Sequence, residues 1–135
     1  MNRTSGRRMW IPIVLTMAAT CCSPASLTEL KRTKSGTLDV VLLSPRDALR
    51  HGSDTFVIEF RSGSGELTDV GTVRASASMS MSGTPMMGTI DVARTEVAGR
   101  YAATSEFSMA GTWRMTMQWD GPAGPGSVTF PGSVQ

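Results

Sequence analysis

The most concentrated chemistry in this chain is sulfur. From Ser76 to Thr89 it reads SASMSMSGTPMMGT, which places four of its ten methionines, Met79, Met81, Met86 and Met87, within nine residues. A fifth, Met109, follows in FSMAG, and the single histidine, His51, precedes them in ALRHGSD. Thioethers are soft, uncharged ligands that suit Cu(I) and not Zn(II) or Ca(II). A few methionine sulfurs, with or without one imidazole, therefore make a Cu(I) site. No histidine cluster is present for zinc, and the carboxylates lack the spacing of a calcium loop. Catalysis finds no support. The one histidine has no serine in a G-x-S-x-G setting to activate, and the glycine-rich SGSGEL has no helix behind it to cradle a phosphate. An enzyme is not expected.

The elements that must position these sulfurs are strands. From Thr37 onward the apolar residues recur with period two. Strands are expected at 37–43 (TLDVVLL), 55–62 (TFVIEFRS), 70–81 (VGTVRASASMSM), 89–95 (TIDVART), 100–107 (RYAATSEF), 112–119 (TWRMTMQW) and 127–134 (SVTFPGSV). Each has one apolar face, such as Phe56, Ile58 and Phe60, or Trp113, Met115, Met117 and Trp119. Turn formers separate them, with no helix and no tandem repeat. The expected fold is all-β: an immunoglobulin-like antiparallel β-sandwich of about seven strands, with a small barrel as the other architecture such a pattern fits. The 135 residues suffice for one such domain and not for two.

If successive strands alternate in direction, the first, third and fifth connections share one end. Those are the loop with His51, the SGTPMMG loop and the SMAG turn with Met109. Met79 and Met81 lie on a strand's apolar face, where methionine packs irregular cores readily; Met115 and Met117, between two tryptophans, are stronger core candidates. Met86 and Met87, between Pro85 and Gly88, divide evenly between packing at a loop tip and binding. His51, beside Gly52, reads first as an ordinary surface loop residue and second as a ligand.

The first 22 residues read as an export segment. MNRTSGRR is basic, and MWIPIVLTMAA is an apolar stretch of signal-peptide length, too short for a membrane-spanning helix of ~20 residues. The only cysteines, Cys21 and Cys22, close it. Adjacent cysteines form a strained disulfide with each other, whereas a cysteine at this position resembles the lipid-accepting residue of bacterial lipoproteins. The expected localisation is extracytoplasmic, in the periplasm or cell envelope, with lipid on Cys21 or Cys22. Residues 23–36 read as a flexible tether and 37–135 as the domain. Of the thirteen basic residues, three lie in the first eight positions; without them ten Lys and Arg face eleven Asp and Glu, a balance unlike a nucleic-acid-binding protein.

The body resembles a known family. LSPRDALRHGSDTFVIEFR, then ASMSMSGTPMMG, then GRYAATSEFSMAGTWRMTMQWDGPAGPGSVTF is similar to the YtkA-like/FixH-like domains, over residues 38–134. The most specific stretch runs from Gly99-Arg100-Tyr101 to Phe107-Ser108-Met109-Ala110-Gly111-Thr112-Trp113. The resemblance implies a small extracytoplasmic β-sandwich associated with copper handling, in oxidase assembly or metal efflux. Its methionine-rich segment matches Met79, Met81 and Met86, and Met109 matches the methionine before the Gly-x-Trp. Histidines often found near that segment are missing here. The function to expect is weak Cu(I) binding through Met79, Met81, Met86, Met87 and Met109, with His51, as a carrier or accessory. The expected partner is an envelope protein complex. The alternative is a metal-free module that docks on such a complex.

Overall fold

The computed structural model describes residues 26–122 and 124–135. The export segment, Cys21, Cys22 and the first residues of the expected tether lie outside this range. Eight strands make up the domain: β1 (Thr28–Ser35), β2 (Leu38–Ser44), β3 (Gly52–Arg61), β4 (Thr72–Met79), β5 (Met86–Arg94), β6 (Arg100–Phe107), β7 (Gly111–Gly121) and β8 (Gly124–Val134). They form one antiparallel sheet in the order β1-β2-β3-β6-β5-β4-β7-β8. The all-β expectation holds. Among the described residues there are eight strands, in keeping with the seven or so expected, and they are joined edge to edge in one continuous sheet.

The strand β5 explains the single sheet. Its first half, Met86–Ile90, pairs with β4, and its second half, Thr89–Arg94, pairs with β6. It thus runs from one layer into the other. The sheet folds over on itself at that corner, and its terminal strands meet at one end, where Ser35 Oγ donates to Ser127 O at 3.0 Å. The result lies between a sandwich and a barrel. Inside it the aromatic rings pack edge to face: Phe60 lies 5.4 Å from Tyr101 and 5.0 Å from Trp119 between ring centres. Phe56, Ile58, Met115, Met117 and Phe130 fill the rest.

The strand β1 corrects the tether. Residues 28–35 pair with β2 from Thr28↔Ser44 to Ser35↔Leu38, with a bulge between Glu29 and Lys31. TELKRTKS carries almost no apolar alternation because β1 is an edge strand. Its outer positions are charged, as edges that must not recruit another chain tend to be; Arg32 bridges Glu29 and Asp39. On the outer face of β3, Glu59 is 1 % exposed and is held by Arg61 at 2.8 Å and by Arg100 at 2.9 Å.

All eight strands alternate in direction, since every neighbouring pair is antiparallel. The connections after β2, β4 and β6 therefore share one pole, as the sequence parity requires. The other pole is closed by Tyr101, whose hydroxyl donates to Gly71 O at 2.6 Å and to Asp69 at 3.3 Å. Asp69 also pairs with Arg94. The Gly99-Arg100-Tyr101 stretch is thus structural: Arg100 secures Glu59, Tyr101 locks the far pole, and a Cβ on Gly99 would lie 2.6 Å from Thr68 N.

Candidate functional site

The methionine-bearing pole is built by β4, β5 and the turn between β6 and β7. Met79 stands directly opposite Met86 across the β4–β5 ladder. Side chains in such a pair share a face, with Cβ atoms ~4.5–5.5 Å apart. Both are half-buried and pack against the core. Beneath them lie Phe107 and Trp113, whose ring centres are 5.0 Å apart.

Two glycines make room for this arrangement. Gly88 faces inward, and a Cβ there would sit 3.1 Å from the Phe107 ring and 3.2 Å from the Trp113 ring. Gly111 has φ +144°, and a Cβ on it would lie 2.6 Å from the Met79 terminal methyl. The turn between β6 and β7 is pinned by two side chains. Trp113 Nε1 donates to Met109 O at 3.1 Å, and Ser108 Oγ donates to the Met86 sulfur at 2.7 Å.

The structure separates Met86 from Met87. Instead of lying in a loop, they open β5, and successive strand residues face opposite sides. Met86 turns to the core, whereas Met87 points outward and is 66 % exposed. A single metal ion bound by both, as the sequence suggested, would have to draw on opposite faces of one strand. Met81 also departs from expectation. The strand ends at Met79, so Met81 leaves the apolar face and stands exposed in the connection. Met109 is exposed in its turn at the same pole. Met115 and Met117 are buried core, as their position between Trp113 and Trp119 indicated.

His51 lies at this pole on the outer side. Its backbone N–H donates to Gln135 O at 2.8 Å, and its ring Nδ1 lies 3.0 Å from the same oxygen. The loop that carries it is anchored by buried Asp54, which accepts from Arg46 Nη1 at 2.8 Å and from the Arg50 N–H at 3.0 Å. His51, Met87, Glu106 and Ser108 line one shallow groove of about 430 Å³. Sequence reading had given no role to Ser108, Glu106, Gly88 or Gly111. Only the strand register brings them to the methionines, and no short-range pattern encodes that register.

Among the described residues, no three His, Cys, Asp or Glu side chains converge on a point where a metal ion could sit. The soft donors at this pole are thioethers: Met79 and Met86, paired across the inner face, with Met81 and Met109 exposed on the connections at the same end. This neutral, soft set fits Cu(I) by ligand preference.

Compared with known proteins, residues 32–118 match the family described as YtkA-like. No curated protein and no solved structure matches the chain.

Proposed function

Because this chain belongs to the YtkA-like family, we propose that its methionine pole takes Cu(I) as cargo and that the protein is a carrier or accessory in extracytoplasmic copper handling. The observation that carries this reading is the cross-strand pair Met79↔Met86 at the mouth of the core, with Met109 and Met81 on the adjoining connections. Thioethers need not lose a proton to bind, so their hold on Cu(I) is compatible with exchange across a wide pH range. Met87 and His51 lie on the other side of the strand and are not part of this set. The role is binding and delivery, not catalysis, and the partner is an envelope complex of copper efflux or oxidase assembly.

The test is competition against a Cu(I) chelator under reducing conditions, in full-length protein with Cys21→Ser and Cys22→Ser so that thiolates do not mask the thioethers. Met79→Leu/Met86→Leu should lose copper to the chelator, whereas Met87→Leu should retain it. Leucine keeps volume and apolarity, and such swaps usually cost less than ~1.5 kcal/mol, so both variants should fold. Equal retention in all three proteins would make the methionines packing residues. The second reading, a metal-free docking module, would then stand. It is favoured by the cleft of about 400 Å³ between β1 and β8, into which Leu42, Met115 and Phe130 open.

Lipid attachment at Cys21 or Cys22 belongs to the same proposal and rests on the apolar segment that precedes them. Mass spectrometry of the mature N-terminus should find an acylated cysteine. An unmodified N-terminus beyond Cys22 would remove the anchor.

A further inference from the structure

The outward-facing groove beside the methionine pole holds a different donor set. On β3, β6 and β5 the register reads Ser53↔Glu106 and Thr89↔Glu106, so Glu106 sits between the other two strands. Beyond these pairs, His51 immediately precedes β3, Ser108 immediately follows β6 and Met87 lies near the start of β5, and all three border one groove. His51 and Met87 thus approach Glu106 from the β3 side and the β5 side of β6. The Ser108 hydroxyl in this groove donates to the Met86 sulfur. His51 and Met87 are each a diagonal neighbour of Glu106, within reach of long side chains. All three are exposed and line one groove.

The imidazole is oriented for binding. With Nδ1 3.0 Å from Gln135 O, the neutral ring donates its proton there. Nε2 is left as the lone-pair nitrogen, the arrangement by which a backbone carbonyl fixes the tautomer of a ligating histidine. A nitrogen and a carboxylate oxygen suit Cu(II), which favours N,O ligands in a tetragonal arrangement. The nearby thioether adds a soft donor that also tolerates Cu(I).

We propose that His51, Glu106 and Met87 form a second copper site, harder than the methionine pole and able to take Cu(II), separated from that pole by the β5 strand and Ser108. The inference deepens the copper reading above but rests on its own residues. A protein with both sites could meet copper in either oxidation state at one pole of the domain.

The experiment is electron paramagnetic resonance of the full-length Cys21→Ser/Cys22→Ser protein with one equivalent of Cu(II) added as the simple salt. Its companions are His51→Gln, Glu106→Gln, Met87→Leu and Met79→Leu/Met86→Leu in the same background. The parent protein should show Cu(II) coupled to one imidazole nitrogen. His51→Gln should lose that coupling, and Glu106→Gln should release Cu(II) at lower competitor concentration. Met87→Leu should lose sulfur-to-copper charge-transfer absorption, and Met79→Leu/Met86→Leu should leave the spectrum unchanged. His51 is exposed and its backbone N–H keeps the bond to Gln135, so His51→Gln should fold; circular dichroism checks this. Persistence of the nitrogen coupling in His51→Gln would overturn the site. Loss of Cu(II) in Met79→Leu/Met86→Leu would show one site in place of two. Either result is read apart from the Cu(I) competition, which can succeed or fail independently.

Discussion

Trp113→Ala should destabilise the domain by ~3–5 kcal/mol, the usual cost of truncating a fully buried tryptophan. A domain of this kind has ~5–15 kcal/mol of stability in total, so much of the protein would unfold under conditions where the wild type is folded. The size follows from what the side chain does. Trp113 is fully buried and stacks at a tilt on Phe107. Its indole N–H holds the Met109 carbonyl and with it the turn between β6 and β7. Alanine would leave a cavity under Gly88, whose missing Cβ already exists to admit the ring, so the site has little means to collapse. Trp113→Phe separates the two contributions. It keeps an aromatic ring against Phe107 but drops the hydrogen bond, worth ~1 kcal/mol by itself. Urea denaturation followed by far-ultraviolet circular dichroism measures both. A Trp113→Ala midpoint close to wild type would mean that the methionine pole does not rest on this ring.

Glu59→Gln should cost about 3 kcal/mol, the low end of the loss when one partner of a buried ion pair is removed. The low end applies because both guanidiniums retain solvent contact, with side chains 30 % and 38 % exposed. Burial is the strongest influence on the Glu59 carboxyl and by itself would raise its pKa. The hydrogen bonds and charges of Arg61 and Arg100 together outweigh it and hold the pKa below the ordinary glutamate value. The folded state therefore binds this proton less readily than the unfolded chain does. Stability from Glu59 is complete above the unfolded pKa of ~4.3 and is lost as pH falls through the lower folded value. The stability difference between wild type and Glu59→Gln should be flat from neutral pH down to about 5 and should shrink at more acidic pH. A difference that stays constant through acid would show that the fork does not depend on the carboxylate charge. Asp69 at the far pole is also held below its ordinary range, first by the Gly71 N–H and then by Arg94. It adds to the acid lability of the wild type, but it is common to both proteins and cancels in the comparison.

Much of the fold is legible in the order of residues because a strand's side chains alternate whatever surrounds them. Tyr101, Ala103, Ser105 and Phe107 all face the core, as do Trp113, Met115, Met117 and Trp119. Period two also carried the directions of the strands, and through them the meeting of His51, the methionines and Met109 at one pole. The edge strand β1 was illegible because its charged residues face solvent and only its pairing with β2 makes it a strand. The composition of TELKRTKS is that of a linker, and nothing local distinguishes the two.

By itself, the sequence determined that the protein is all-β, which faces of β3, β4, β6 and β7 are buried, that methionine is the abundant soft donor, and that the loop methionines share an end of the molecule. These follow from local periodicity and from the parity of connections, which need no knowledge of which strand lies beside which. Only the tertiary structure decided that β5 begins at Met86, three residues before the expected strand. That extension rests on the pairing Met79↔Met86, a cross-strand contact with no signature in GTPMMG. It turns two adjacent methionines into residues of opposite faces. One joins Met79 over Trp113, and the other joins His51 and Glu106 in the outer groove. Spacing along the chain sets which donors are present, but the hydrogen-bonded register between strands sets which of them can meet at one ion.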